Sequence, residues 1–410
     1  GSTCLVRAGD RVLVTGLETI PRAKPLNNCR WALLERKAGG WQRIHEDRGR
    51  TREPSPLAVF DGGKVIVSAN PTVAEPDAYS GRSQPEIWEF SSEGVGKRTR
   101  PRWQGSPDFT EHSYRSLAVD GPGGELMLLQ NIGYAHAEWA FRDTRGEWTA
   151  QGQLRWPQGA EYSPPRPVRL CYPNVALRDR AVHFLGVGDI IEPNEDWRRH
   201  KHELTGREWD YVFRRLYYSW SDDISGEPFR PWIEIANREE TAGSILANDL
   251  MVDAEGKAHL LWTERALDGR LRERFFPEAE QSESLRYAVV QNGKLLRQRT
   301  LIESTEQSPG PIVSLARFHL TPGGRVFVVM HVRGTEKGKE LNENRIAELK
   351  NGGLLQGMQR VPLRHPIANF FTATPRAGSS PSPILDLFGP PSGKPNTLGY
   401  VSIRLAGLEE

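Results

Sequence analysis

Three cysteines in 410 residues, at positions 4, 29 and 171 and without a C-x-x-C spacing, describe neither a disulfide framework nor a zinc site. A Cys4–Cys29 bridge is conceivable, although buried free thiols are the commoner state of such scattered cysteines. No apolar run approaches the length of about 18 residues that a membrane span needs. Excess charge is missing too: 54 Lys and Arg balance 52 Asp and Glu, and the basic residues are dispersed, so no nucleic-acid footprint is written in the chain. No P-loop, no G-x-G-x-x-G opening a helix, no H-E-x-x-H and no G-x-S-x-G elbow occurs, which leaves nucleotide chemistry and serine hydrolysis unsupported. Long helical periodicity is also absent.

What the chain has instead is a repeated strand, polar turn, strand unit. Glu111 to Leu154 shows it most clearly, with apolar runs at Ser116–Val119, Glu125–Gln130, Glu138–Arg142 and Trp148–Gln151 separated by Gly, Pro, Asp and Asn. Such spacing writes a four-stranded antiparallel meander. The turns V-D-G-P-G-G, V-D-A-E-G-K and L-T-P-G-G-R recur along the chain. About seven copies fit, at 3–46, 52–104, 112–155, 170–236, 245–303, 312–362 and 367–407. The expected fold is therefore all-β, a seven-bladed β-propeller of four-stranded antiparallel blades in a single domain spanning 1–410. Radial packing solves the edge problem of so many short sheets. A pair of β-sandwiches would not require one hairpin at regular intervals.

In such a blade the lead into the innermost strand and the connection between the second and third strands lie on one face. The long excursions, 16–28, 71–85, 192–211 and 266–282, are nearly all second-to-third connections, so that face is the decorated one and the natural binding face. Residues leading into inner strands ring its mouth: His112, Tyr114 and Arg115; Tyr172 and Asn174; Asn248 and Asp249; Asn369 and Phe370. Those ending second strands join them: Asn70, Asn131, Asp189, Glu264, Arg265 and His331. Tyr134 and His136 follow close behind. Singly, each of these residues is as well explained by a hydrogen bond topping off a strand. As a group of ionisable side chains at mouth positions, they mark a site.

S-W-S-D-D-I-S-G at Ser219 to Gly226 has the wrong final spacing for the Asp-box turn of sialidase propellers. The blade pattern, H-S-Y-R at His112 to Arg115, G-Y-A-H at Gly133 to His136 and Y-P-N at Tyr172 to Asn174 together resemble the seven-bladed propeller polysaccharide lyases of the ulvan lyase type and related propeller rhamnosidases. The resemblance implies a catalytic pair, His112 and Tyr172, with His136 in support. It also implies cleavage of uronic-acid-containing glycans by β-elimination, in which a base takes the proton alpha to the carboxylate and a cation holds the developing charge. Arg198 and Arg199 with His200, or Arg265, are the cations expected to receive that carboxylate. Tyr114, Arg115, Tyr134, Asn174, Asn248, Glu264 and His331 complete the expected substrate-binding set.

Two other classes stand beside this one. An exo-acting glycoside hydrolase, rhamnosidase- or sialidase-like, needs two carboxylates, for which Glu239, Glu240, Asp249 and Glu264 are available. A non-catalytic glycan-binding propeller needs only aromatics and amides. No cofactor is required by the lyase reading, no metal ligands are assigned, and a structural divalent ion is the one addition such a scaffold allows. The expected partner is a polysaccharide or oligosaccharide substrate, and the protein is expected to be a monomer. Secreted or periplasmic location follows, with any signal peptide already removed.

Overall fold

The computed structural model describes residues 2–23, 28–75, 78, 80–91, 93–94, 96–160, 162–350, 352–394 and 396–405. The predicted end of the last repeat at 407 lies outside the described residues. Each repeat folds as one antiparallel sheet in simple sequential order, and the first strands contact one another in turn around a ring that closes from the seventh blade back to the first. Blade 1 comprises Leu5–Ala8, Arg11–Thr19, Cys29–Lys37 and Gly40–Glu46; blade 3 comprises Arg115–Asp120, Glu125–Ile132, His136–Arg142 and Trp148–Arg155; blade 4 comprises Leu170–Arg178, Ala181–Gly188, Arg215–Ser221 and Ile233–Asn237. Six blades have four strands among the described residues, and blade 7 has three, Phe371–Thr372, Ile384–Gly389 and Gly399–Arg404. The structure is a seven-bladed β-propeller, as the repeat predicts.

The turns explain the hairpins. Asp253 opens one with its side chain accepting from the Glu255 and Lys257 amides, and Gly256 supplies the left-handed residue at φ +73°. Asp143 does the same for the Arg145 and Glu147 amides, with Gly146 as the left-handed residue at φ +83°. A side-chain acceptor followed by glycine is the chemistry of a tight turn.

The core is not a centre but a set of layers between blades. One apolar cluster joins blade 3 to blade 4 through Leu129, Phe141, Leu170 and Phe184; another joins blade 1 to blade 7 through Leu5, Val12 and Phe388. A sheet packed on both faces needs apolar side chains on both, which is why Val65–Ala69 and Glu125–Asn131 are buried at every position rather than at alternate ones. Buried polar ties lock the layers. Asn70 donates to the Thr110 carbonyl, Asn131 to that of Leu170, and Asn344 both donates to and accepts from the backbone of Ile367. Equivalent His–Tyr pairs hold blades 4 and 5, His183 to Tyr218 at 2.6 Å and His259 to Tyr287 at 2.7 Å.

The channel is closed at the undecorated end. The first connection of blade 7 makes a short 3-10 turn, Pro375–Ala377, that touches the inner strands of blades 2 to 5. Buried Arg376 reaches buried Asp249 on blade 5 at 2.8 Å. Gly378 follows at φ +79°, where a Cβ atom would lie 1.8 Å from the Val59 carbonyl oxygen.

Candidate functional site

The mouth on the decorated face is built where blades 3 and 4 begin. Between Cys171, opposite Val187, and Asn174, opposite Leu185, the inner strand of blade 4 slips by a bulge. The bulge holds Tyr172 at φ +49°, a strained region for a residue with a side chain. Its neighbours Cys171 and Asn174 are buried while Tyr172 is 43% exposed, so the bulge turns one side chain out of the core and into the mouth. Ser116 pins it by donating to the Pro173 carbonyl at 2.7 Å.

Tyr114 meets Tyr172 with ring centroids 5.2 Å apart, and His112 stands 5.9 Å from Tyr114. The two tyrosine side chains interact at this spacing. Burial pushes the Tyr172 phenol above its ordinary value, so it stays protonated at neutral pH. Burial lowers His112, helped by the positive charges of Arg52 and Arg169, so its imidazole is neutral at the same pH. A neutral base and a protonated acid stand in one mouth.

Arg169 lies at the centre of this group. It is ion-paired to Asp189, and its guanidinium sits 4.1 Å from the Tyr134 ring centroid, 5.6 Å from Tyr211 and 5.7 Å from Tyr114. Tyr134 and Tyr211 touch through their hydroxyls at 2.5 Å. Beside Tyr172 a hollow of about 440 Å³ is lined by Phe213, Ser244, Thr263 and Arg265, and a second of about 500 Å³ adjoins it across Phe213 and Arg265. Arg265 is exposed and makes no ion pair among the described residues.

The structure thus brings together His112, Tyr114, Tyr134, Tyr172 and, across the hollow, Arg265. Other expected residues are placed elsewhere. His136 opens the third strand of blade 3 with its Nε2 atom 2.9 Å from Glu138. Arg115 is buried as a strut, donating to the Glu53 and Pro54 carbonyls. Asn174 and Asn248 are wholly buried, and Asn248 ties blade 5 to the Ala316 amide of blade 6. Glu264 does line the hollow beside Tyr172, although its carboxylate is held by Arg238 and by the Trp262 indole, and His331 is buried against Asn342. Arg115 is turned into the scaffold by the period-two alternation of its strand, and Asn174 and Asn248 by the bulges at their positions. Arg198 and Arg199 are exposed on helix Glu195–Thr205, and Arg199 pairs with Asp196. Arg169, Tyr211 and Phe213 were not foreseen. For Arg169 a signal existed, since it occupies the lead-in position three residues before Tyr172.

Among the described residues no group of three or more His, Cys, Asp or Glu side chains is arranged to hold a metal ion, and no helix is long and apolar enough to cross a membrane. All three cysteines are free thiols, with Cys4 and Cys171 buried.

Among solved structures, the chain is similar to a PL25 ulvan lyase bound to -[GlcA(1-4)Rha3S]-, with a TM-score of 0.57 and 9% identity over 98% of this chain and 91% of that one. An α-L-arabinofuranosidase from Fusarium graminearum in complex with an iminosugar inhibitor matches with a TM-score of 0.50 and 11% identity, over 87% of this chain and 94% of that one. No family model and no curated protein matches the sequence. At such identities the likeness shows the fold.

Proposed function

We propose that the protein is a polysaccharide lyase that cleaves uronic-acid-containing glycans by β-elimination in the mouth of its decorated face. The observation that carries this reading is the bulged, outward-turned Tyr172, packed against Tyr114 and sharing its mouth with a neutral His112. His112 takes the proton alpha to the carboxylate. The electron pair moves into a new carbon–carbon double bond as the bond to the glycosidic oxygen breaks, and Tyr172 returns a proton to that oxygen. Arg265, exposed and unpaired beside Tyr172, receives the substrate carboxylate and holds the charge that develops on it. Secretion to where such glycans occur accompanies the reading.

Of the four acids open to the hydrolase alternative only Glu240 is exposed and without an ion pair among the described residues, where two are needed. Asp249 is committed to Arg376, Glu264 to Arg238, and Glu239 to Arg214 and Tyr162. The deciding experiment follows absorbance of the unsaturated uronate during incubation with a panel of uronate polysaccharides, beside a reducing-end assay, for wild type, His112→Ala and Tyr172→Phe. Absorbance that rises with wild type and with neither variant supports elimination. New reducing ends without absorbance refute it.

A further inference from the structure

We propose that Arg169 is the positioning residue of this mouth, holding Asp189, Tyr114, Tyr134 and Tyr211 in one array around His112 so that Tyr114 keeps its ring against Tyr172. The inference rests on the reading that His112 and Tyr172 do the chemistry.

Three observations carry it. First, Arg169 gathers groups from four separate segments: Tyr114 leads into blade 3, Tyr134 lies in the turn between its second and third strands, Asp189 follows the second strand of blade 4, and Tyr211 is on the returning arm of the excursion. Among the described residues no other side chain pairs with all four. Second, the Asp189 amide donates to the Arg169 carbonyl at 2.7 Å, so backbone and side chain clamp the same residue. Third, Arg169 is too buried to be a substrate cation, at 9% exposure, and its planar guanidinium is used for stacking on rings, a task an ammonium ion performs poorly.

The array also sets the field at His112. The charged and titratable groups facing that ring are Arg52, Glu53, Glu111, Arg169, Asp189 and Tyr114. Arg169 opposes protonation of His112 directly and neutralises Asp189, which would favour it. Removing the guanidinium therefore leaves Asp189 uncompensated, and His112 becomes easier to protonate.

The test uses Arg169→Met and Arg169→Lys in the full chain, with selective ¹³C-histidine labelling and His112→Ala to assign the His112 resonance. In substrate-free protein, Arg169→Met is expected to move the His112 titration upward by about half a pH unit or more. On a uronate polysaccharide that wild type cleaves, it is expected to lower kcat about tenfold or more with a smaller change in KM. Arg169→Lys is expected to return the titration toward wild type without restoring kcat, because charge is kept and the stacked plane is lost. It also serves as the readout should the methionine variant fold poorly. An unmoved His112 titration in a folded Arg169→Met protein overturns the proposal. So does full kcat in Arg169→Lys. Because the titration needs no substrate, it decides the role of Arg169 even if no polysaccharide is cleaved, an outcome that would sink the lyase reading instead.

Discussion

Arg376→Met should destabilise the propeller without touching its mouth. Arg376 and Asp249 are 5% and 1% exposed at their side chains, and the guanidinium donates to Asp249 Oδ1 through both Nε and Nη2, at 3.1 and 2.8 Å. Removing one partner of a buried pair leaves the other charged and desolvated, a loss of about 3–5 kcal/mol. Here Asp249 keeps the Leu250 and Phe318 amides as donors and has buried Arg317 nearby, so the lower end, about 3 kcal/mol, is expected. Equilibrium urea unfolding followed by tryptophan fluorescence measures it. Asp249→Asn added to Arg376→Met removes the orphaned charge and should recover about half of the loss, so the coupling is about 1.5 kcal/mol plus whatever Asp249→Asn costs alone. Activity below the unfolding transition should stay at the wild-type level, because the plug closes the end of the channel opposite the mouth. A single variant within about 0.5 kcal/mol of wild type, within the range of ordinary surface substitutions, would show that the ion pair does not hold the plug. So would a double variant no better than the sum of the singles.

The same plug makes Gly378→Ala severe. The new methyl group would meet the Val59 carbonyl at 1.8 Å, and φ is +79°, so a loss of about 3 kcal/mol or more is expected in the same unfolding assay; a loss under about 1 kcal/mol would mean the turn does not pack where it is placed. Glu192→Gln should loosen helix Glu195–Thr205, since Glu192 is the wholly buried carboxylate shared by buried Lys201 and Arg214. Limited trypsin digestion should then cut within the helix well before the blades, and unchanged protection would argue against this anchor. His183, buried against Tyr218, has its pKa lowered to about 4 by burial. The unfolded chain protonates it near 6.5 while the native state does not, so stability present above pH 6.5 is lost as pH falls toward 4, at up to about 1.4 kcal/mol per pH unit. His183→Gln should flatten that slope in unfolding curves taken from pH 7 to 4.5; an unaltered slope would assign it to other groups.

How much of this was legible beforehand follows from what each signal depends on. The blades, their turns and the decorated face are local matters. A strand pattern, an Asp or Thr opening a turn and a Gly closing it act over a few residues, and the 44 residues from Glu111 to Leu154 contain enough of them to define the repeat. His112, Tyr114, Tyr134 and Tyr172 could be placed at the mouth by the same counting. Which of the mouth residues face solvent was not local. Asn174 and Tyr172 stand two positions apart, where simple alternation gives them the same face, yet one is wholly buried and the other 43% exposed, because a bulge between them reverses the alternation. No sequence rule reports that bulge. Asp249 reads as a mouth acid, but its partner is Arg376, 127 residues away, brought across the channel by a turn whose sequence, P-R-A-G, says nothing of its destination. The sequence by itself determined the repeat, the ring of blades and the face that carries the excursions, since these follow from short-range backbone preferences. Only the tertiary structure decided which side chains open into the mouth and which tie blade to blade, because that choice rests on register slips and on contacts closed between distant parts of the ring.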